Sequence, residues 1–197
     1  MNRTKTLLVS STVLAATLAL AGCAQSSDSG SGSGMNHSSS SAGASDSFND
    51  QDVAFAQMML PHHKQAVGMS DMLLAKGSGV NADVSALATK IKAEQSPEIT
   101  ELTGWLKDWK QSTSSSMSGS MSGMMSDGDM AALDKASASD AGKLFLTQMM
   151  EHHTSAVDMA KTEVSKGKDK DAVALAKSIV SSQSAEITQM KDMLASL

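Results

Sequence analysis

The chain repeats itself, and the repeat limits what it can fold into. Phe55, Met59, His62, His63, Ala66, Val67 and Met69 recur ninety positions later as Phe145, Met149, His152, His153, Ala156, Val157 and Met159. A second block, Ala88, Ile91, Gln95, Glu98, Ile99 and Leu106, recurs at an offset of 88 as Ala176, Ile179, Gln183, Glu186, Ile187 and Leu194. The two-residue difference falls between the blocks, around Gly77-Ser78-Gly79 in one copy and Lys166-Gly167-Lys168 in the other. Each block has the apolar period of an amphipathic helix, and the glycine between blocks ends one helix before the next begins. Each copy therefore reads as a helical hairpin. A lone hairpin leaves its apolar stripe in water, so the two copies bury their stripes against each other. The predicted fold is all-α, a four-helix bundle of two duplicated hairpins. The absence of Tyr, the presence of only two prolines and the prevalence of Ala, Leu, Met, Lys, Gln and Glu agree with it.

Upstream of the repeats the chain reads as an address. Arg3 and Lys5 precede an apolar run, Leu7 to Leu20, which ends in the lipobox Leu20-Ala21-Gly22-Cys23. As a helix that run covers only about 21 Å, short of a hydrocarbon core of about 30 Å. Residues 1–22 are thus expected to be a lipoprotein signal peptide, and Cys23 the lipidated residue that anchors the protein to the membrane. Residues 23–47, rich in Ser and Gly, form a flexible tether. The expected location is the extracytoplasmic cell envelope. The folded part spans 48–197, with repeat one at 48–111, a Met-rich linker at 112–130 and repeat two at 131–197. Cys23 is the only cysteine, which excludes internal disulfides and Cys-based zinc sites. Loss of Arg3 and Lys5 takes the net charge from −5 to −7, so nucleic acid is not an expected partner.

Four of the five histidines form two adjacent pairs, each with a methionine one turn earlier: Met59 before His62 and His63, Met149 before His152 and His153. Those spacings share a helix face. Neighbouring histidines diverge by about 100°, so one of each pair is expected to face the core and the other water. Folding each hairpin at its glycine sets Gln95 level with His62 and Gln183 level with His152. Glu98 and Glu186 stand level with Met59 and Met149. Gln95, Glu98, Gln183 and Glu186 are therefore expected behind the metal ligands, orienting the histidine rings. Met69 and Met159 are further candidate ligands, as are Met117, Met121, Met124, Met125 and Met130 of the linker, which reads as a mobile connection with no part in the core. Thioether sulfur suits copper(I), and imidazole suits copper in either oxidation state. Copper follows as the expected metal, with silver(I) accepted for the same reason. Pro61 and Pro97, matched by Glu151 and Ala185 in the second copy, predict a local kink in the first.

The pattern Phe-x-x-x-Met-x-Pro-His-His-x-x-Ala-Val-x-Met, followed by Gln-x-x-Glu-Ile, resembles domain-of-unknown-function family 305 over nearly all of 48–197. That resemblance implies a ferritin-like helical bundle in exported bacterial proteins, some of them copper-binding. In the second copy Glu151 replaces the motif's proline. Enzymatic readings find no support: no Glu-x-x-His, His-Glu-x-x-His or Gly-x-Ser-x-Gly occurs. The expected protein is a monomeric or weakly oligomeric copper binder without turnover, which buffers copper or passes it between donor and acceptor proteins. The competing expectation is a non-metal structural or interaction module, in which the histidine layer only fixes helix register.

Overall fold

A computed structural model of the chain describes residues 47–114 and 122–197. The segments expected to be a signal peptide and a tether, up to residue 46 and including Cys23, and Met117 and Met121 of the linker lie outside the described residues. Five helices follow in order: α1 (Asp50–Leu74), α2 (Ala82–Asp108), α3 (Asp127–Lys135), α4 (Ala138–Lys166) and α5 (Lys170–Ser196), with a single 3-10 turn at Gly77–Gly79. No strand occurs, and no helix is long and apolar enough to cross a membrane, among the described residues. Gly77 takes a left-handed φ of +68°, which only glycine adopts without strain, and this reverses the chain between α1 and α2. Pro61 and Pro97 do not end their helices; α1 and α2 run unbroken through them.

Each long helix starts on a side-chain cap: Asn49, Asn81, Ser137 and Asp169 accept from the first free backbone amides of α1, α2, α4 and α5. The cap of α1 also ties the two hairpins together. Asp52 accepts from Asn49 N through Oδ2 at 2.6 Å, while its Oδ1 accepts from Lys168 N at 2.9 Å and Asp169 N at 3.0 Å. One carboxylate thus closes the start of α1 and holds the α4–α5 turn.

Two apolar clusters fill the bundle. One gathers Met69, Leu73, Val84, Leu87, Ile91, Phe145, Leu146 and Met149; the other gathers Phe55, Met59, Leu60, Leu102, Leu106, Ala160 and Ile179. The duplication exchanges them: Phe55 and Met59 lie in one, their counterparts Phe145 and Met149 in the other. The start of α1 shares a cluster with the end of α4, so these two helices run antiparallel. Since α2 is antiparallel to α1, α2 and α4 run the same way. The chain leaving α2 must therefore travel the bundle's length before α4 can begin, about 40 Å for a helix of 27 residues. That geometry explains the long crossover of the linker.

The described parts of the crossover lie on the outer seam between α1 and α4. Gln57 donates to Ser112 O, Gln65 brackets Met125 by donating to its O (2.8 Å) and accepting from its N (2.7 Å), and Lys76 reaches Asp134 O and Ala136 O. From the other side Ser155 donates to Ser122 O and Gln148 to Asp129 O. The expectation that 112–130 takes no part in the core fails at its C-terminal end. Met125 is buried, Met130 is half-buried against the same apolar cluster, and helix α3 buries Leu133. The physical reason is the seam itself, which exposes apolar surface unless the crossover covers it. Met125→Ala is accordingly expected to lower the melting temperature by about 5–10 °C, the cost of an emptied core position. Met124→Ala, at a half-buried neighbour, should shift it by less than about 2 °C. Thermal denaturation followed by circular dichroism checks both, and equal melting temperatures would place Met125 outside the core.

Candidate metal centre

Between the two apolar clusters lies a layer of histidine. His62, His63, His152 and His153 are all wholly buried, which corrects the expectation that one of each pair faces water. His62 of α1 and His152 of α4 meet face to face, ring centroids 3.6 Å apart and planes tilted by 36°. These are equivalent residues of the two copies, so the pseudo-two-fold axis of the duplication passes between their rings. Neither ring nitrogen of either residue has a hydrogen-bond partner in the protein. Leaving such buried groups unpaired costs about 1–3 kcal/mol each. Burial pushes His62 down to about 3, with His63 and His153 adding to the effect, and burial holds His152 well below the ordinary histidine value, His62 next in importance. Both rings are neutral at physiological pH, the state in which imidazole binds metal without first losing a proton.

The second histidine of each pair points outward to a carboxylate. His63 Nε2–H donates to Glu98 Oε2 at 2.7 Å, and His153 Nε2–H donates to Glu186 Oε2 at 2.8 Å. Since a carboxylate only accepts, a ring proton sits on Nε2, and each Nδ1 is left buried with no partner. A carboxylate that fixes the tautomer and frees the opposite nitrogen is the usual support of a metal-ligating histidine. Burial lowers the affinity of His153 for a proton, against the pull of Glu186. Burial alone would raise Glu186, but hydrogen bonds from His153 and Lys90 outweigh it and hold the carboxyl well below its ordinary range.

The glutamines do not take the place the sequence assigned them. Gln95 and Gln183 are buried, but their Oε1 atoms have no partner, and the groups bonded to the rings are Glu98 and Glu186. Strict levelling across the hairpin puts Glu94 opposite His63 and Ser182 opposite His153; the true partners lie one turn farther along. Side chains lean toward their own helix N-terminus, so on antiparallel helices the pair that meets is offset by that lean.

The methionines divide. Met59, Met149 and Met69 are fully buried in the apolar clusters; Met59 and Met149 are thus on opposite sides of the histidine layer. Met159 is half-buried and shares a shallow hollow of about 300 Å³ with Met58 and Ser122. Met58 went unnoticed in the sequence because the repeat does not include it. Met124 and Met125 cross the seam beside Gln65 and Ser155, each one residue triplet beyond His62 and His152, so the crossover passes over the bundle at the height of the histidine layer. Gly123 makes this approach feasible: its φ is +77°, and a Cβ there would lie 2.1 Å from Ser155 Cβ. Among the described residues no three His, Cys, Asp or Glu side chains converge as a ready-made chelate. The six unpartnered ring nitrogens do fit a soft ion content with few ligands, since imidazole and thioether are the donors within the layer and its flanks.

Comparison with known proteins gives a consistent picture. The family profile described as Domain of unknown function (DUF305) matches residues 52–194. Among solved structures, a DUF305 protein of Streptomyces coelicolor, assigned as secreted, is 34% identical with a TM-score of 0.69, over 74% of this chain and 93% of that one. A DUF305 fragment from Deinococcus radiodurans is 30% identical with the same TM-score, over 76% and 98%. CopM in its Cu(I)-bound form is 32% identical with a TM-score of 0.63, over 74% and 96%, and CopM has also been solved with Cu(II), with silver and without metal. No protein with a curated description matches the chain.

Proposed function

Because the chain belongs to the DUF305 family, whose profile covers most of its length, we propose that it is an extracytoplasmic copper-binding protein that sequesters copper, buffers it or passes it on without turnover. The observation that carries this reading is the set of six unpartnered nitrogens on four buried imidazoles. His62 and His152 would hold the ion across the pseudo-two-fold, and Nδ1 of His63 and of His153, each steadied by its glutamate, supplies further donors. Copper(I) would find thioether donors in the methionines that flank the layer and cross over it. The metal's own contribution is a soft acceptor that satisfies lone pairs which nothing else in the core satisfies. Silver(I) fits the same donors. The copper- and silver-bound CopM structures support this choice of metal. A purely structural layer would leave His62 and His152 uncompensated in the core. The lipobox at Cys23 supports attachment to the cell envelope membrane, close to copper-carrying donor or acceptor proteins.

Titration of the reduced protein with copper(I) against a competing chelator is expected to show stoichiometric retention of copper by the parent. Replacing Met58, Met124 and Met159 together by Leu should lower copper(I) retention while leaving copper(II) uptake within about twofold, because leucine keeps the apolar bulk and lacks sulfur. Parent protein that surrenders all its copper to a weak chelator would refute the proposed function.

A further inference from the structure

The two histidine–glutamate pairs are equivalent in sequence but not in surroundings. In the second copy Glu186 is closed off: Lys90 of α2 reaches across to its Oε1 at 2.7 Å, and its side chain is 3% exposed. The duplication that maps Glu98 onto Glu186 maps Ser178 onto Lys90, so in the first copy a serine stands where the second has an ammonium. Glu98 is correspondingly 17% exposed. It lines a groove of about 700 Å³ between α2 and α5, with Glu94, Glu101, Asp171, Trp105 and Ser178 among its walls; no Lys or Arg lines it, and Lys90 touches it only from outside, pairing with Glu94 Oε1 at 3.2 Å, so that Glu98, Glu101 and Asp171 set its negative charge. Directly behind Glu98 is His63, wholly buried, with its Nδ1 unpartnered.

We propose that this groove is the loading route for copper(II): the ion enters between α2 and α5, is taken first by Glu98 Oε1, the oxygen equivalent to the one Lys90 Nζ holds at Glu186, while Glu98 Oε2 keeps its hydrogen bond with His63 Nε2, and passes from there to the unpartnered Nδ1 of His63. The inference rests on the proposed copper function and adds to it a door and an asymmetry. Carboxylates favour the divalent ion over copper(I). A cleft walled by one sign of charge raises the local concentration of the opposite ion and its rate of entry. The second copy shows within the same molecule that a cation at this position is compatible with the fold, and that when the cation is a lysine the door is shut.

Stopped-flow mixing of the full chain with copper(II) sulfate, read by quenching of Trp fluorescence, tests it, since Trp105 lines the groove. Ser178→Lys should slow the quench about tenfold while the number of ions held at equilibrium stays the same. Lys90→Ser should open the second door and add a second fast phase. Ser184→Lys makes the same change of charge at an exposed position outside the groove and should load like the parent. All three positions are exposed, so the fold is expected to survive, and melting curves verify it. If the parent takes up copper but Ser178→Lys and Lys90→Ser load at its rate, or if Ser184→Lys slows as much as Ser178→Lys, the loading route is wrong and the copper function stands. If the parent takes up no copper, both fall.

Discussion

Replacing His62 and His152 together by leucine is expected to make the metal-free protein more stable and to weaken its copper binding by about 100-fold or more. The two effects have one cause. These rings lie wholly buried against each other with no hydrogen-bond partner for any of their four nitrogens, so the metal-free core carries an unmet desolvation cost. Leucine fills a similar volume without polar atoms, and its gain, less some mismatch of shape, is about 2 kcal/mol, or about 4–8 °C in melting temperature. Replacement by alanine is the poorer experiment, because cavities at buried sites cost about 2–5 kcal/mol each and can unfold the domain. Calorimetry of the metal-free double variant alongside copper competition decides the matter. A lower melting temperature, or unchanged copper affinity, would show that the facing rings are neither a strained layer nor ligands.

Glu163→Gln is expected to raise the melting temperature at pH 8.5 by about 10 °C and to change it little at pH 4.5. Glu163 and Asp52 are both wholly buried where the start of α1 meets the α4–α5 turn. Neither Glu163 oxygen has a donor at hydrogen-bond geometry, and Gly167 is packed so closely that a Cβ there would lie 2.1 Å from Glu163 Oε1. Burial, reinforced by the neighbouring Asp52 carboxylate, pushes Glu163 up to about 8. It therefore stays a neutral acid beside the Asp52 carboxylate until the pH approaches 8. Burial alone would raise Asp52, but the Glu163 proton and the amides of Asn49, Asp169 and Lys168 outweigh it and lower the group. The folded state holds the Glu163 proton where the unfolded chain, at the ordinary 4.5, has released it. Its stabilisation is full below pH 4.5 and is lost as pH rises through 8, by roughly 3–5 kcal/mol. Asp52 works in the opposite sense, its contribution falling away as pH drops below 3.8. Glutamine is neutral at every pH, so the variant's profile should lose the decline between pH 4.5 and 8. Parallel profiles for parent and variant would mean that Glu163 does not keep its proton above pH 4.5.

Much of this architecture was legible in the chain before any coordinates. The offset repeats gave the hairpins, their glycine turns and the pairing of copies, because periodicity and duplication are properties of sequence. The histidine pairs were legible as a site because they recur with it. What the sequence could not supply was side-chain direction: levelling residues across a hairpin named Glu98 and Glu186 together with Gln95 and Gln183 but set the glutamines beside the rings, whereas the lean of side chains along each helix brings the two glutamates there. Composition misjudged Met125 and α3, since Ser, Gly and Met suggest a free segment unless one knows that a seam lies beneath. Trp105 and Trp109 gave no sign of their roles; they stack in a row with Phe48, Trp109 inside and Trp105 at the groove. The partnership of Asp52 with Glu163 spans more than a hundred residues and has no local signature.

The two-fold axis through His62 and His152 has a consequence for how such a protein can evolve. Two separate identical hairpins paired about that axis would meet every substitution twice, so a lysine that shuts one door would shut both. The crossover between α2 and α4 places the halves under independent inheritance. Position 90 can then become lysine while 178 remains serine, and 61 can hold proline while 151 holds glutamate. Joining the two hairpins in one chain thus does more than tether them: it lets a symmetric histidine layer have a front and a back.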